Sequence, residues 1–187
     1  GDINADGWED VFITSGMGYP FRYGINTMLL NDLGEKFLDS EYLLGIEPRP
    51  DGRTHTHWFD VDCATEGEGV PPVGVPPCRG RKDKVSVWTT LSSRSSVMLD
   101  IDDDGDLDIV TNEFHDKPMV LLSDLAAKKP VHWVGVELVG SRSNRNGLGA
   151  TVRVRTGDRV LVRYNDGKSG YLSQSVLPLY IGLGDGG

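Results

Sequence analysis

No apolar run in this chain approaches the ~18 residues that a membrane-spanning helix needs, so membrane insertion by a helix is excluded for this stretch. Cysteine is scarce: Cys63 and Cys78 are the only two among 187 residues. Neither belongs to a Cys-x-x-Cys pair, which disfavours zinc. The Gly-x-Ser-x-Gly elbow of serine hydrolases is missing. Gly167-Lys168-Ser169 resembles the end of a phosphate loop, but Val162 stands where that loop needs glycine and no helix follows. Gly147-Leu148-Gly149 lacks the third glycine of a dinucleotide loop. There is no Asn-x-Ser/Thr acceptor for N-glycosylation. Positive charge is in deficit, with 19 Lys and Arg against 28 Asp and Glu, a net of −9. A chain so acidic lacks the long-range attraction that nucleic acid binding requires.

What the chain has instead is aspartate. The stretch Asp100-Ile101-Asp102-Asp103-Asp104-Gly105-Asp106-Leu107-Asp108 holds six aspartates in nine residues. Carboxylates at that density repel one another unless a cation sits among them. Asp100, Asp102, Asp104 and Asp108 fit D-x-D-x-D-G-x-x-D, a spacing that wraps hard oxygen ligands around Ca²⁺. Gly105 supplies the sharp turn that lets the backbone carbonyl of Asp106 join them. The chain opens on a second copy, Asp2, Asn4, Asp6, Gly7 and Asp10, with Trp8 in the place of Asp106. Asn4 replaces an anionic ligand, so this copy is expected to bind more weakly.

An EF-hand starts in the same way but needs Glu at loop position twelve. Ile13 and Thr111 stand there, and the runs Val11-Phe12-Ile13 and Ile109-Val110-Thr111 read as strands. Asp10 and Asp108 therefore take the closing role, and each loop leads into a sheet. The alternative is an Asp-rich solvated turn without metal.

Two loops of this kind, each running into a strand, resemble the FG-GAP/VCBS repeats of integrin-type β-propellers. The segments Asn26 to Asn31 and Lys36 to Asp39 are similar to the strand pair that follows such a loop. The C-terminal stretch resembles a different family. His132-Trp133-Val134-Gly135-Val136, Gly140 to Ala150, Ser169-Gly170-Tyr171-Leu172-Ser173-Gln174-Ser175 and Ile181-Gly182-Leu183-Gly184 are similar to the ASPIC/UnbV domain. That domain is found behind propeller repeats in cartilage acidic protein and in bacterial secreted proteins. Its members continue past the Gly-Leu-Gly strand, whereas this chain stops at Gly187, so a piece of a longer protein is expected and the lack of a targeting segment carries no weight.

Charge divides along the same line. Residues 1–131 carry 12 Lys and Arg against 24 Asp and Glu, and residues 132–187 carry 7 against 4. In the basic part, alternation puts Val152, Val154, Val160, Val162 and Tyr164 on one strand face and Arg153, Arg155 and Arg163 on the other. Those arginines form a ligand face for an acidic glycan, a dock for the protein's own acidic half, or a solvated face. Gly157-Asp158 and Asp166-Gly167 supply turns. Leu125 to Pro130 reads as a linker ended by proline.

Further strands are expected at Thr56 to Cys63, Val85 to Trp88, Ser96 to Leu99 and Val120 to Leu122. His55 and His57, near Asp60 and Asp62, read as an ordinary histidine pair rather than a transition-metal site. The segment between Cys63 and Cys78 has no periodicity. A disulfide across that spacing of 15 is worth on the order of 3 kcal/mol and agrees with an exported compartment; two free thiols are the alternative.

The expectation is an all-β chain: a fragment of a calcium-binding β-propeller with several four-stranded blades over residues 1–130, then a small, truncated β-rich ASPIC/UnbV-like domain over 131–187. The expected role is a calcium-stabilised extracellular binding, adhesion or scaffold protein. It would be secreted, periplasmic or at the cell surface, and it would meet an extracellular protein or an acidic glycan. Two alternatives stand: a calcium-dependent polysaccharide-active enzyme, and an accessory protein of a bacterial biosynthetic cluster.

Overall fold

The computed structural model describes residues 1–16, 24–49, 55–65, 78, 81–90, 93–113, 116–170 and 173–186. Strands dominate, as the β-branched runs and frequent turns require. β1 (Val11–Ile13), β2 (Thr27–Asp32) and β3 (Lys36–Asp39) form an antiparallel sheet in that order, with Val11 opposite Leu29 and Leu30 opposite Leu38. β4 (His55–Asp62) pairs with β5 (Lys84–Thr90). β6 (Ser93–Leu99), β7 (Asp108–Glu113) and β8 (Met119–Leu121) form a second three-stranded sheet. Each sheet among the described residues has two or three strands, and blades of four are not seen there.

The two three-stranded sheets share one small core. Met28, Ile46 and Ile109 are buried, and Ile3, Phe12, Leu30, Met98 and Leu121 pack against them. Hydrogen bonds from Gly16 N to Ser93 O and from Ser93 N to Ser15 Oγ, both 2.9 Å, lace the first sheet to the second. Beside this core lies a buried ionic knot. Arg49 donates to Glu113 at 2.9 Å, to Ser93 Oγ at 3.0 Å and to Glu47 at 3.3 Å. Removing one partner from such a knot would strand a buried charge, which typically costs 3–5 kcal/mol.

The expected linker is partly a helical turn, α1 (Leu125–Lys128). Its start is held from outside: Ala126 N donates to the Asp106 carboxylate at 2.7 Å. The C-terminal part contains β9 (Trp133–Val136), β10 (Thr151–Thr156), β11 (Arg159–Tyr164), β12 (Lys168–Gly170), β13 (Ser173–Gln174) and β14 (Leu179–Gly182). β9 pairs with β14, β10 with β11 and β12 with β13.

The β10–β11 hairpin corrects the expected faces. Its two-residue turn at Gly157-Asp158 sets Thr156 opposite Arg159, so Val152 faces Arg163 and Val154 faces Leu161. An even-numbered residue on one strand thus shares a face with an odd-numbered residue on the other. Val160, Val162 and Tyr164 lie with Arg153 and Arg155 on the outer face, and Arg163 turns inward. The three arginines do not form one face.

Candidate metal centre

The two aspartate loops have the same backbone. Asp100 accepts from Asp104 N at 3.1 Å and from Gly105 N at 2.9 Å; Asp2 accepts from Asp6 N and from Gly7 N, both at 3.0 Å. Asp108 accepts from Ile101 N at 2.9 Å and Ser123 N at 2.8 Å; Asp10 accepts from Ile3 N and Asn31 N, both at 2.8 Å. Gly7 and Gly105 both have φ near 96°, a region that favours glycine. Each closing aspartate therefore ties its loop to the strand beyond β1 or β7, since Asn31 lies in β2 and Ser123 just past β8.

Within the second loop, Asp100, Asp102 and Asp108 each offer an oxygen within 4.8 Å of the others. Calcium–oxygen distances of 2.3–2.6 Å put ligands on opposite sides of an ion ~5 Å apart, so this spacing suits that ion. Asp104 is exposed, and its Oδ1 accepts from Asp106 N at 3.1 Å. Asp106 is buried with Oδ2 on α1, and its Oδ1 has no hydrogen-bond partner. The donor set is hard oxygen throughout and fits Ca²⁺. Asp100, Asp102, Asp104 and Asp108, with the carbonyl of Asp106, are the groups that would hold it. Partial desolvation by the surrounding loop, then the carboxylates of Asp104, Asp108 and Asp100, raise the pKa of the exposed Asp102, and burial first of all raises that of Asp106.

The first loop differs in its charges. Asn4 Nδ2 donates to Asp6 Oδ2 at 3.0 Å, and Trp8 N donates to Asp6 Oδ1 at 2.8 Å. Asp2 and Asp10 are buried. Burial pushes the Asp10 carboxyl up to about 6 and raises that of Asp2.

Strands from the far end of the chain cover both loops. Gly182 N donates to Asp2 at 2.9 Å and Gly184 N to Ala5 O at 2.9 Å. A Cβ on Gly182 would lie 2.4 Å from the carbonyl carbon of Ala5, so only glycine permits this approach. Arg163 Nη2 reaches Asp2 Oδ2 at 3.4 Å and the Gly7 carbonyl at 3.2 Å, and Arg159 Nη1 reaches the Asp6 carbonyl at 3.2 Å. On the second loop, Tyr180 Oη donates to the Gly105 carbonyl at 2.9 Å, and its ring stacks on Trp133 at 5.0 Å. Burial, followed by the aspartates of both loops, raises the Tyr180 pKa.

Residues 140–187 match the family model of ASPIC and UnbV. No curated protein and no solved structure matches the chain. The ASPIC/UnbV segment thus supplies Arg159, Arg163, Tyr180, Gly182 and Gly184, and β14 within it pairs with β9, which lies upstream of the match. Of the other predicted residues, Arg153 and Arg155 are exposed on the outer face of the ASPIC/UnbV hairpin, away from the loops. Cys63 and Cys78 are buried and joined by a disulfide, and most of the segment between them lies outside the described residues. His57 pairs with Asp60 at 3.0 Å; the side chain of His55 lies outside the described residues. Tyr171 and Leu172 of the ASPIC/UnbV motif also lie outside them.

Sequence reasoning missed Asn31, Ser123, Arg159 and Tyr180. Asn31 follows Asp10 by 21 residues and Ser123 follows Asp108 by 15, so no constant spacing marks them. A basic residue inside an otherwise apolar strand alternation was the available sign for Arg163. The two-residue turn shifts parity between the strands, so Arg163 lies on the inner face with Val152, Val154 and Leu161.

Proposed function

We propose that residues 1–130 carry FG-GAP/VCBS-type repeats and that the second aspartate loop takes Ca²⁺. In this reading the chain is a calcium-stabilised extracellular binding or scaffold protein, not an enzyme. The observation that carries it is the convergence of Asp100, Asp102 and Asp108 oxygens within 4.8 Å. Like charges held that close in a folded chain are relieved by a cation or by a proton, and in this reading by Ca²⁺.

The repeat assignment rests on the matching hydrogen bonds of the two loops and on the strand that follows each. An ion at the second loop would join β6 to β7 and hold α1 near through Asp106. Because the loop has its ligand arrangement only when folded, ion binding adds to folding stability. The disulfide agrees with an exported compartment, where calcium is abundant and even a site of millimolar affinity fills. No helix among the described residues is long and apolar enough to cross a membrane. The outer ASPIC/UnbV face, with Arg153 and Arg155, is the surface offered to an acidic glycan or an extracellular protein.

Calcium titration calorimetry on the wild-type chain and on Asp102→Ala tests the reading. Asp102 is exposed, so its removal spares the fold. The wild type is expected to bind Ca²⁺ and the variant to lose at least tenfold in affinity. Equal binding by the two chains would sink the assignment.

A further inference from the structure

The two loops share a backbone but not a charge balance. The first holds Asp2, Asp6 and Asp10, and three cations from the C-terminal half of the chain reach it. Arg163 is 6 % exposed and contacts Asp2 and the Gly7 carbonyl; its Nε lies 3.6 Å from Glu9. Arg159 contacts the Asp6 carbonyl at 3.2 Å and the Leu183 carbonyl at 2.9 Å, and Lys129 Nζ contacts the Asn4 carbonyl at 3.3 Å. The second loop holds six aspartates, and no Lys or Arg contact to it is seen among the described residues.

Asp2 Oδ2 shows the difference at one atom. It accepts from Gly7 N, Gly182 N and Arg163 Nη2, whereas the matching Asp100 Oδ2 accepts from Gly105 N. A carboxylate oxygen already holding three donors has little left for a metal; Oδ1 of Asp2 and of Asp100 each accept one loop N–H, so the difference lies on the side that Arg163 and Gly182 cover. Arg163 is placed there by its own strand: Val152 lies opposite it, Leu161 shares its inward face, and the Arg163 side chain is buried. A guanidinium remains charged at every physiological pH, so it is a permanent counter-ion.

We propose that Arg163 is the resident cation of the first aspartate loop. That loop keeps its fold and its hold on the ASPIC/UnbV segment without metal, and only the second loop responds to Ca²⁺. The division between the loops rests on the calcium reading above; the role of Arg163 does not.

Two measurements on the full chain separate these claims. In calcium calorimetry the wild type should bind one ion, lost in Asp102→Ala and kept in Asp6→Ala. Two ions bound within tenfold of each other would overturn the proposal while leaving the calcium reading intact. The second measurement is thermal unfolding in EDTA of the wild type, Arg163→Met, Asp2→Asn and the double variant. Each single change should lower Tm, and the double variant should lie close to the worse single, because either change breaks the same pair. Additive losses would overturn the role of Arg163. A coupled cycle with no calcium uptake at all would uphold Arg163 and refute the calcium reading. Should Arg163→Met fail to fold, Arg163→Lys in the same cycle retains the charge. It should unfold well above Asp2→Asn, and equal midpoints would again overturn the proposal.

Discussion

Between Asp2 and Asp10, and again between Asp100 and Asp108, the chain makes the same turn with the same backbone donors. The surroundings then diverge. The first loop is buried beneath β11 and β14 and meets two arginines and a lysine. The second is buried from Gly105 to Asp108 and exposed from Ile101 to Asp104; the Tyr180 hydroxyl and the Trp133 ring touch it, and its charge is left to solvent or to an ion. A loop motif thus specifies a shape and a set of oxygens. Which cation balances those oxygens depends on what packs over them, and here one copy is matched to an internal guanidinium.

The sharpest way to break this comparison is to remove the closing aspartate from each loop. Asp10 and Asp108 are both buried and each accepts from two backbone N–H groups. Without calcium, Asp10→Ala and Asp108→Ala should cost similar amounts, about 2–4 kcal/mol each in urea titrations. With calcium the gap should widen at the expense of Asp108→Ala, since only that variant loses a ligand of the ion-holding loop. If calcium leaves the two equally destabilised, the loops do not differ as described.

A change remote from both loops sharpens the comparison as a control. Replacing Cys63 and Cys78 with serine should cost about 3 kcal/mol in the chain-entropy account, while the calcium affinity stays unchanged. Intact-mass analysis after alkylation should find no free thiol in the non-reduced wild type. A shift in calcium affinity in the serine variant would mean that the second loop senses the β4–β5 region.

A smaller effect is expected from Asn4→Asp, which makes the first loop's ligand set resemble the second. With Arg163 in place, calcium affinity there should rise by no more than a few-fold, about 1 kcal/mol or less. If this single change brings the first loop level with the second, then Asn4 and not Arg163 sets the difference.

The smallest effect belongs to the outer face. Arg155 is exposed, so Arg155→Glu should alter stability by about 0.5 kcal/mol or less by chemical denaturation. Loss of retention on an acidic-glycan column without loss of stability would assign that face a ligand. Unchanged retention would mark it as solvated.

The loops, the strands that follow them and the Cys63–Cys78 disulfide were legible from the sequence because their chemistry is local. Asp2 and Asp100 reach their loop donors four and five residues ahead, and Asp10 and Asp108 reach theirs seven residues back. Spacing alone carries that information. The helical turn Leu125–Lys128 was not legible, since Asp106, twenty residues back in the chain, accepts from its Ala126 N–H. The fate of the arginines was equally hidden. Hairpin register decided which face received Arg163, and one residue of slip would have moved it to the other side. Its partner Asp2 lies 161 residues away, and Gly182 meets Asp2 across 180. Contacts at such separations leave no periodicity in a sequence. The amino-acid order by itself determined two acidic loops of one backbone shape. Only the tertiary structure decided that Arg163 would meet one of them, because charge balance is set by everything within a few ångströms, however far apart along the chain.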